Sequence, residues 1–301
     1  ELDEKDMPGK AYVPWLGKTV EDPTGYGIYF QERWEDALQV DPEFIYLNDW
    51  NEWIAGKFGW DDPWLGRHSN FWFVDQYNAE FNRTIQPMKG GYTDNYYMQM
   101  AQNIRRYKGV RPIPENRGTK RIAIDGSFAD WDKVEVEYRD TRGDVTARDA
   151  KGYAGLHYTD NTGRNDIHDS KVAVTKDGEV CFYVKAGKVI TSHTDSNWML
   201  LLIDSDQNTD TGWYGYDILV NKNVIDEGKT EVMRFADGEW AAVATVPYAV
   251  NGNEMELSIP ADLLGVAGRS AGFDFKWADN SVDDGDIMQF NDLGDTAPND
   301  R

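Results

Sequence analysis

From Arg121 onward the chain consists of ten short runs, apolar or alternating, with turn residues between them. They fall at 134–138, 155–158, 171–175, 180–185, 198–203, 216–220, 230–235, 241–247, 254–259 and 272–278. Runs this brief suit strands and are too short for helices. Asp177-Gly178, Asp237-Gly238 and Asn251-Gly252 stand between consecutive runs and supply tight turns, as does Gly126 near the start of the region. So many antiparallel strands predict a two-sheet β-sandwich for residues 121–301.

The first 110 residues have another texture. Residues 26–40 place Ile28, Phe30, Trp34, Ala37 and Leu38 on one helical stripe. The turn pair Asp41-Pro42 follows, then Phe44, Ile45, Tyr46 and Leu47, an apolar block too short for a helix. Helix, turn and buried strand make one α–β step of a parallel sheet. Asn48, Asp49, Asn51 and Glu52 then stand at the C-terminal end of that strand, where α/β barrels carry catalytic groups. The same segment also reads as a helix start, capped by Asn or Asp with Glu52 in the first turn, and spacing favours neither reading.

Beyond it, the loop 56–72 carries Trp60, Trp64, His68 and Trp72. These are ligand-binding residues if the loop crowns an α/β enzyme, or indoles that pin a surface loop. A second helix is expected over 93–107, capped by Thr93 or Asp94, with Tyr97, Met100, Ala101 and Ile104 as its apolar stripe. Residues 111–120 hold two prolines and a glycine without periodicity and read as a linker. The expected division is therefore 1–110, 111–120 and 121–301, a multidomain α/β plus all-β chain.

Lys and Arg total 31 against 53 Asp and Glu, a net charge of −22. That balance argues against a nucleic-acid partner, whose phosphates require a basic surface. It suits neutral polymers, or cations held by carboxylates. The 12 Trp and 16 Tyr suffice for sugar-stacking surfaces as well as for a core. Cys181 is the single cysteine, so no internal disulfide exists, and its apolar surroundings predict a buried, inert thiol. No apolar run reaches the roughly 20 residues of a membrane span. His68, His157, His168 and His193 are scattered without zinc spacing. The absence of a GxSxG elbow, a P-loop and a strand–GxGxxG–helix unit predicts no nucleotide cofactor.

Two sets of residues in the second region bear on binding. Asp204, Asp206, Asn208 and Asp210 offer oxygen donors at alternate positions of one loop, the pattern that converges on a hard cation such as calcium. Thr209 stands where a helix–loop–helix calcium site has glycine, and Asx-rich hairpin loops of this kind also form without metal. Trp198, Trp213 and Trp277 lie on or beside strands near polar groups, as stacking platforms for a pyranose would; the same positions suit core indoles.

The segments Ile124-Asp-Gly-Ser-Phe-Ala-Asp-Trp131, Leu202-Ile-Asp-Ser-Asp206, Thr211-Gly-Trp-Tyr-Gly-Tyr-Asp217 and Phe273-Asp-Phe-Lys-Trp277 occur in that order. Together they resemble the family 9 carbohydrate-binding modules and the related DOMON-like sandwiches, over about residues 119–301. The resemblance implies a β-sandwich, a structural calcium, and sugar held between two aromatic rings, for which it points to Trp198 and Trp277. The segment Trp50-Asn-Glu-Trp53 is similar to one in glycoside hydrolase families 71 and 99, where a strand-end glutamate belongs to the active site. On that likeness Glu52 is the acid/base or nucleophile, with Asp49 and Asn51 beside it.

A complete eight-stranded barrel needs about 200 residues or more. Residues 1–118 therefore predict only the C-terminal part of a (β/α) barrel, and the second carboxylate that glycoside hydrolysis requires would lie in strands outside this chain. The function expected is part of a secreted, periplasmic or cell-surface bacterial glycoside hydrolase with an appended sugar-binding or structural sandwich. The alternative is a non-catalytic protein that holds a polysaccharide or oligosaccharide on its tryptophans.

Overall fold

The computed structural model describes residues 12–13, 17–19, 23–48, 50–51, 56–59, 71–73, 84–89, 92–110, 112, 114–151, 157–266 and 272–299. In chain order the elements are β1 (Tyr12–Val13), β2 (Lys18–Thr19), α1 (Ile28–Val40), β3 (Lys57–Gly59), β4 (Phe71–Phe73), α2 (Asn95–Lys108), β5 (Glu137–Arg139), β6 (Arg148–Lys151), β7 (His157–Asp160), β8 (Ile167–Val174), β9 (Glu179–Ala186), β10 (Leu200–Asp204), β11 (Ile218–Asp226), β12 (Lys229–Ala236), β13 (Glu239–Asn251), β14 (Glu254–Pro260), β15 (Asp274–Asp279) and β16 (Asp295–Ala297). The chain divides into two compact units, residues 1–110 with 150–157 and residues 111–149 with 158–301. No helix among the described residues is long and apolar enough to cross a membrane.

In the first unit the described strands form two antiparallel pairs, β1–β2 and β3–β4. Among the described residues the expected (β/α)-barrel is not present. A barrel strand is buried on both faces and bonded on both sides, yet residues 44–48 form no strand, and Phe44 and Tyr46 are 77% and 79% exposed. Four apolar residues after a helix are too weak a signal to specify a parallel strand, and no described strand pairs with them.

Helices α1 and α2 do form, and they meet through polar groups. The buried residues of α2 are Asn95, Tyr96, Gln99 and Asn103, not the expected stripe of Tyr97, Met100, Ala101 and Ile104. Gln31 and Asn103 exchange two amide hydrogen bonds (2.9 and 3.2 Å), and Gln99 Nε2 donates to the carbonyls of Tyr26 and Gly27. Arg106 grips both oxygens of Glu35 at 2.6 and 2.9 Å. Only Gly27, at φ +53°, leaves room for the Gln99 amide at the start of α1.

The second unit is built on one continuous ten-stranded antiparallel sheet, in the order β16-β15-β10-β11-β12-β13-β14-β9-β8-β5. Each of the ten predicted runs overlaps an observed strand. The two expected layers are halves of this single sheet, joined by β13. From Glu239 to Pro247 that strand pairs with β12, and from Tyr248 to Asn251 it pairs with β14. Pro247, which has no amide hydrogen to donate, stands at the changeover. The β12–β13 turn has Asp237 at φ +53° and Gly238 at φ +86°, as a two-residue hairpin matched to strand twist requires.

The halves face each other across one core. Phe182, Val184, Met255, Leu257 and Ile259 from β9 and β14 share it with Leu201, Ile203, Ile218, Val220 and Trp277 from β10, β11 and β15. Phe182 meets Phe273 and Phe275 with ring centroids 5.7 Å apart in each case. Strand alternation sends Leu200, Leu202 and Leu219 to the outer face of the sheet, where a second apolar cluster forms with Trp213 and Met233. At the far ends the sheet nearly closes, since Ile167 N on β8 donates to Asp295 Oδ2 on β16 at 2.7 Å.

Candidate functional site

The outer apolar cluster is the floor of an aromatic cleft of ≈ 390 Å³. Residues 205–217 pack Trp213 with Leu200 and Leu202 and bring Tyr214 to the cleft, and the β12–β13 hairpin adds Phe235 and Trp240 to its lining. In that hairpin Phe235 and Trp240 are directly paired, and their rings meet edge to face at 5.0 Å. Trp213 is 6% exposed and serves as floor, held edge-on by Tyr214 (5.6 Å) and Phe290 (5.8 Å). Tyr214 is 54% exposed and presents an open ring. Trp240 is fixed by its Nε1, which donates to the Asp283 carbonyl at 2.8 Å.

The cleft's charged groups are few: Lys222, Glu239 and Asp284. Lys222 Nζ is matched by Asp283 at 2.8 Å, which leaves Glu239 and Asp284 to make the lining net negative. Open aromatic faces beside hydrogen-bonding carboxylates and backbone groups are the chemistry that holds a neutral sugar ring: C–H bonds pack on the π face while hydroxyls find acceptors at the edge.

The acidic loop after β10 lies in the same segment. Carboxylate oxygens of Asp204, Asp206 and Asp217 fall within 4.8 Å of one another. Asp204 is buried, and that burial raises its carboxyl above the ordinary range. Asp217 Oδ2 accepts from the amide and hydroxyl of Ser205 at 2.9 and 2.8 Å, and Asp204 Oδ1 accepts from Asn208 N at 3.2 Å. A Cβ on Gly215 would stand 3.5 Å from Asp204 Oδ2 and 3.1 Å from Thr209 Cα, so glycine keeps this side of the cluster open. Three hard oxygen donors at this spacing fit a cation of the calcium type, which would tie the end of β10 to the loop that carries Trp213 and Tyr214.

The structure divides the residues expected from the sequence. Asp204 and Asp206 do converge. Asn208 and Asp210 do not complete the set in the expected way, since Asn208 Oδ1 is taken by the amide of Asp210 at 3.1 Å in an Asx turn. Asp217 takes a place in the group, and its position seven residues further along on the return of the hairpin is why a linear donor pattern misses it. Trp198 and Trp277 are 3% and 0% exposed, so neither ring offers a sugar a face; they are core indoles. Trp213 is at the cleft, while its partners there, the exposed Tyr214 and the half-buried Trp240, were not among the expected rings. The signal for Trp240 is its position just beyond the Asp237-Gly238 turn, directly opposite Phe235.

Asn51 is exposed and donates to Gln86 Oε1 at 2.5 Å, while the Trp50 carbonyl accepts from Ile85 N and Gln86 N. Glu52, Asp49, Trp60 and Trp64 lie outside the described residues. Cys181 is 1% exposed, and burial pushes its thiol up to about 12, so it is an inert core group.

No protein-family model, curated protein or solved structure matches this chain.

Proposed function

We propose that the sheet unit is a non-catalytic glycan-binding module whose ligand, a neutral polysaccharide or oligosaccharide, stacks in the cleft of Trp213, Tyr214, Phe235 and Trp240. The observation that carries this is the exposed Tyr214 on the lining of a cleft to which Trp213, Phe235 and Trp240 also contribute. The net negative lining and the chain's charge of −22 favour neutral chains over uronates or sulfated glycans. The resemblance to family 9 carbohydrate-binding modules supports the same class. A cation at Asp204, Asp206 and Asp217 would act structurally, by fixing the loop on which Tyr214 stands.

The hydrolase alternative is not favoured. Glycoside hydrolysis needs two carboxylates facing one bond, and the barrel that would present them is absent from the described residues. Affinity electrophoresis on gels containing neutral xylan, mannan or β-glucan, with pectin as the anionic control, tests the proposal. Retardation by a neutral glycan is expected, with at least about a tenfold loss of affinity in Tyr214→Ala. Absence of retardation on every neutral gel, or retardation untouched by Tyr214→Ala, would rule this cleft out.

A further inference from the structure

We propose that Asp140, Asp144 and Asp295 bind one divalent cation of the calcium type, which clasps together the two ends of the ten-stranded sheet. The three side chains come from separated segments: Asp140 follows β5, Asp144 lies in the loop beyond it, and Asp295 opens β16. One carboxylate oxygen from each lies within 4.8 Å of the other two. Oxygens bound to a single calcium at about 2.3–2.6 Å stand no more than about 5 Å apart, so these three fit one ion.

Two observations independent of that proximity point to a ligand. Asp140 is 8% exposed, yet its Oδ2 is buried and receives no hydrogen bond; Asp144 Oδ1 is buried in the same condition. Asp140 is held from behind, with Asn299 N donating to its Oδ1 at 2.6 Å, so that one oxygen is anchored and the other is left to bind. Asp295 is anchored in the same manner by Ile167 N.

The neighbouring cations Lys276 and Arg148 attract these carboxylates from a distance, but the hydrogen bonds they make are to other groups. Arg148 donates to the carbonyl oxygens of Asp144 and Gly294, and Lys276 Nζ donates to Asn299 Oδ1 at 3.3 Å. Among the described residues no Lys or Arg forms an ion pair with any of the three carboxylates. Three carboxylates gathered in a buried place without a direct ion pair are costly. A divalent ion would offset that cost and join the outermost strands β5 and β16 at a point where each is only three residues long.

The test uses the 301-residue chain carrying Asp206→Ala, which disables the acidic loop after β10, and counts bound calcium by equilibrium dialysis at about pH 7.5. One ion per chain is expected. Asp144→Asn and Asp295→Asn, each added singly, are expected to weaken it at least tenfold; both keep an oxygen acceptor, and circular dichroism checks that they fold. A calcium-dependent rise in melting temperature of the Asp206→Ala chain gives a readout that needs no further variant. If no calcium binds and no rise occurs, the three carboxylates share protons and not a metal, and the proposal is wrong. Binding that survives unchanged in both folded Asn variants overturns it equally. Neither result bears on the aromatic cleft.

Discussion

Trp131 and Glu256 stand 125 positions apart in the chain, and the indole Nε1 donates to Glu256 Oε2 at 2.8 Å. The other oxygen, Oε1, accepts from the amides of Asp125 and Gly126 at 3.0 and 2.8 Å. Both side chains are buried, at 1% and 0% exposure. The segment 124–131 is thus pinned to β14 through one carboxylate with three N–H donors.

Replacing that carboxylate should grade stability by the number of donors left unmet. Glu256→Leu strands all three and is expected to cost about 3 kcal/mol or more. Glu256→Gln keeps an acceptor for the two amides while its NH₂ faces the indole N–H, for an expected loss of about 1–2 kcal/mol. Urea melts of the two variants and the parent give the order directly, and equal losses would show that the two amide bonds to Asp125 and Gly126 contribute nothing.

Gly27→Ala is expected to destabilise the helical pair by about 2 kcal/mol or more. Its Cβ would sit on the Gln99 amide, and φ there is +53°. Adding Gln99→Ala should recover part of the loss by making space, but not the share due to the left-handed backbone. Thermal melts of the single and double variants separate the two; full recovery would show that the backbone carries no strain.

Trp277→Ala removes a ring that is 0% exposed and is expected to cost about 3–5 kcal/mol, as for other core aromatics. Tyr214→Ala, at 54% exposure, should change stability by less than about 1 kcal/mol. Chemical denaturation of both variants distinguishes core from cleft independently of any ligand. A small effect at Trp277 would contradict its place in the core.

Glu35 supplies a test in pH. Its bonds to Arg106 first, and then to Gln31, hold its carboxyl down from an ordinary 4.5 to about 2. A depressed carboxylate stabilises the fold above its ordinary value, and that contribution is lost as pH falls from about 4.5 to about 2. The side chains of Arg106 and Glu35 are 43% and 53% exposed, so screening keeps the contribution below about 1 kcal/mol. An NMR titration of Glu35 in Arg106→Ala should return it toward its ordinary value; a carboxyl that stayed near 2 would assign the effect to Gln31 alone.

The strands of the sheet unit were legible because alternation and two-residue turns are local properties, and local properties survive in a bare sequence. Their joining into one sheet was not, because nothing in β13 except Pro247 marks the change of partner. In the helical unit, helix positions were readable while the packing face of α2 was not. Gln99 and Asn103 look like solvent-facing residues until Gln31 and the carbonyls of Tyr26 and Gly27 are seen to receive them. The barrel expectation failed for a related reason: four apolar residues at 44–47 carry no information about which strands, if any, lie beside them. At the acidic loop, donors close in sequence were visible, but Asp217 comes from the return of the hairpin. At the cleft, tryptophan drew attention by type, whereas exposure belongs to Tyr214.

Because the sheet is a single ribbon bent at β13, it has only two lateral edges despite its ten strands, and its outermost members β5 and β16 are three residues long. Lys120 N donates to the Val174 carbonyl and covers a further stretch of β8 beyond β5. Unpaired strand edges are the template on which β-rich chains recruit one another into fibres. The ten-stranded sheet therefore offers little edge for a second molecule to extend, and its resistance to aggregation depends on keeping β5 and β16 in place.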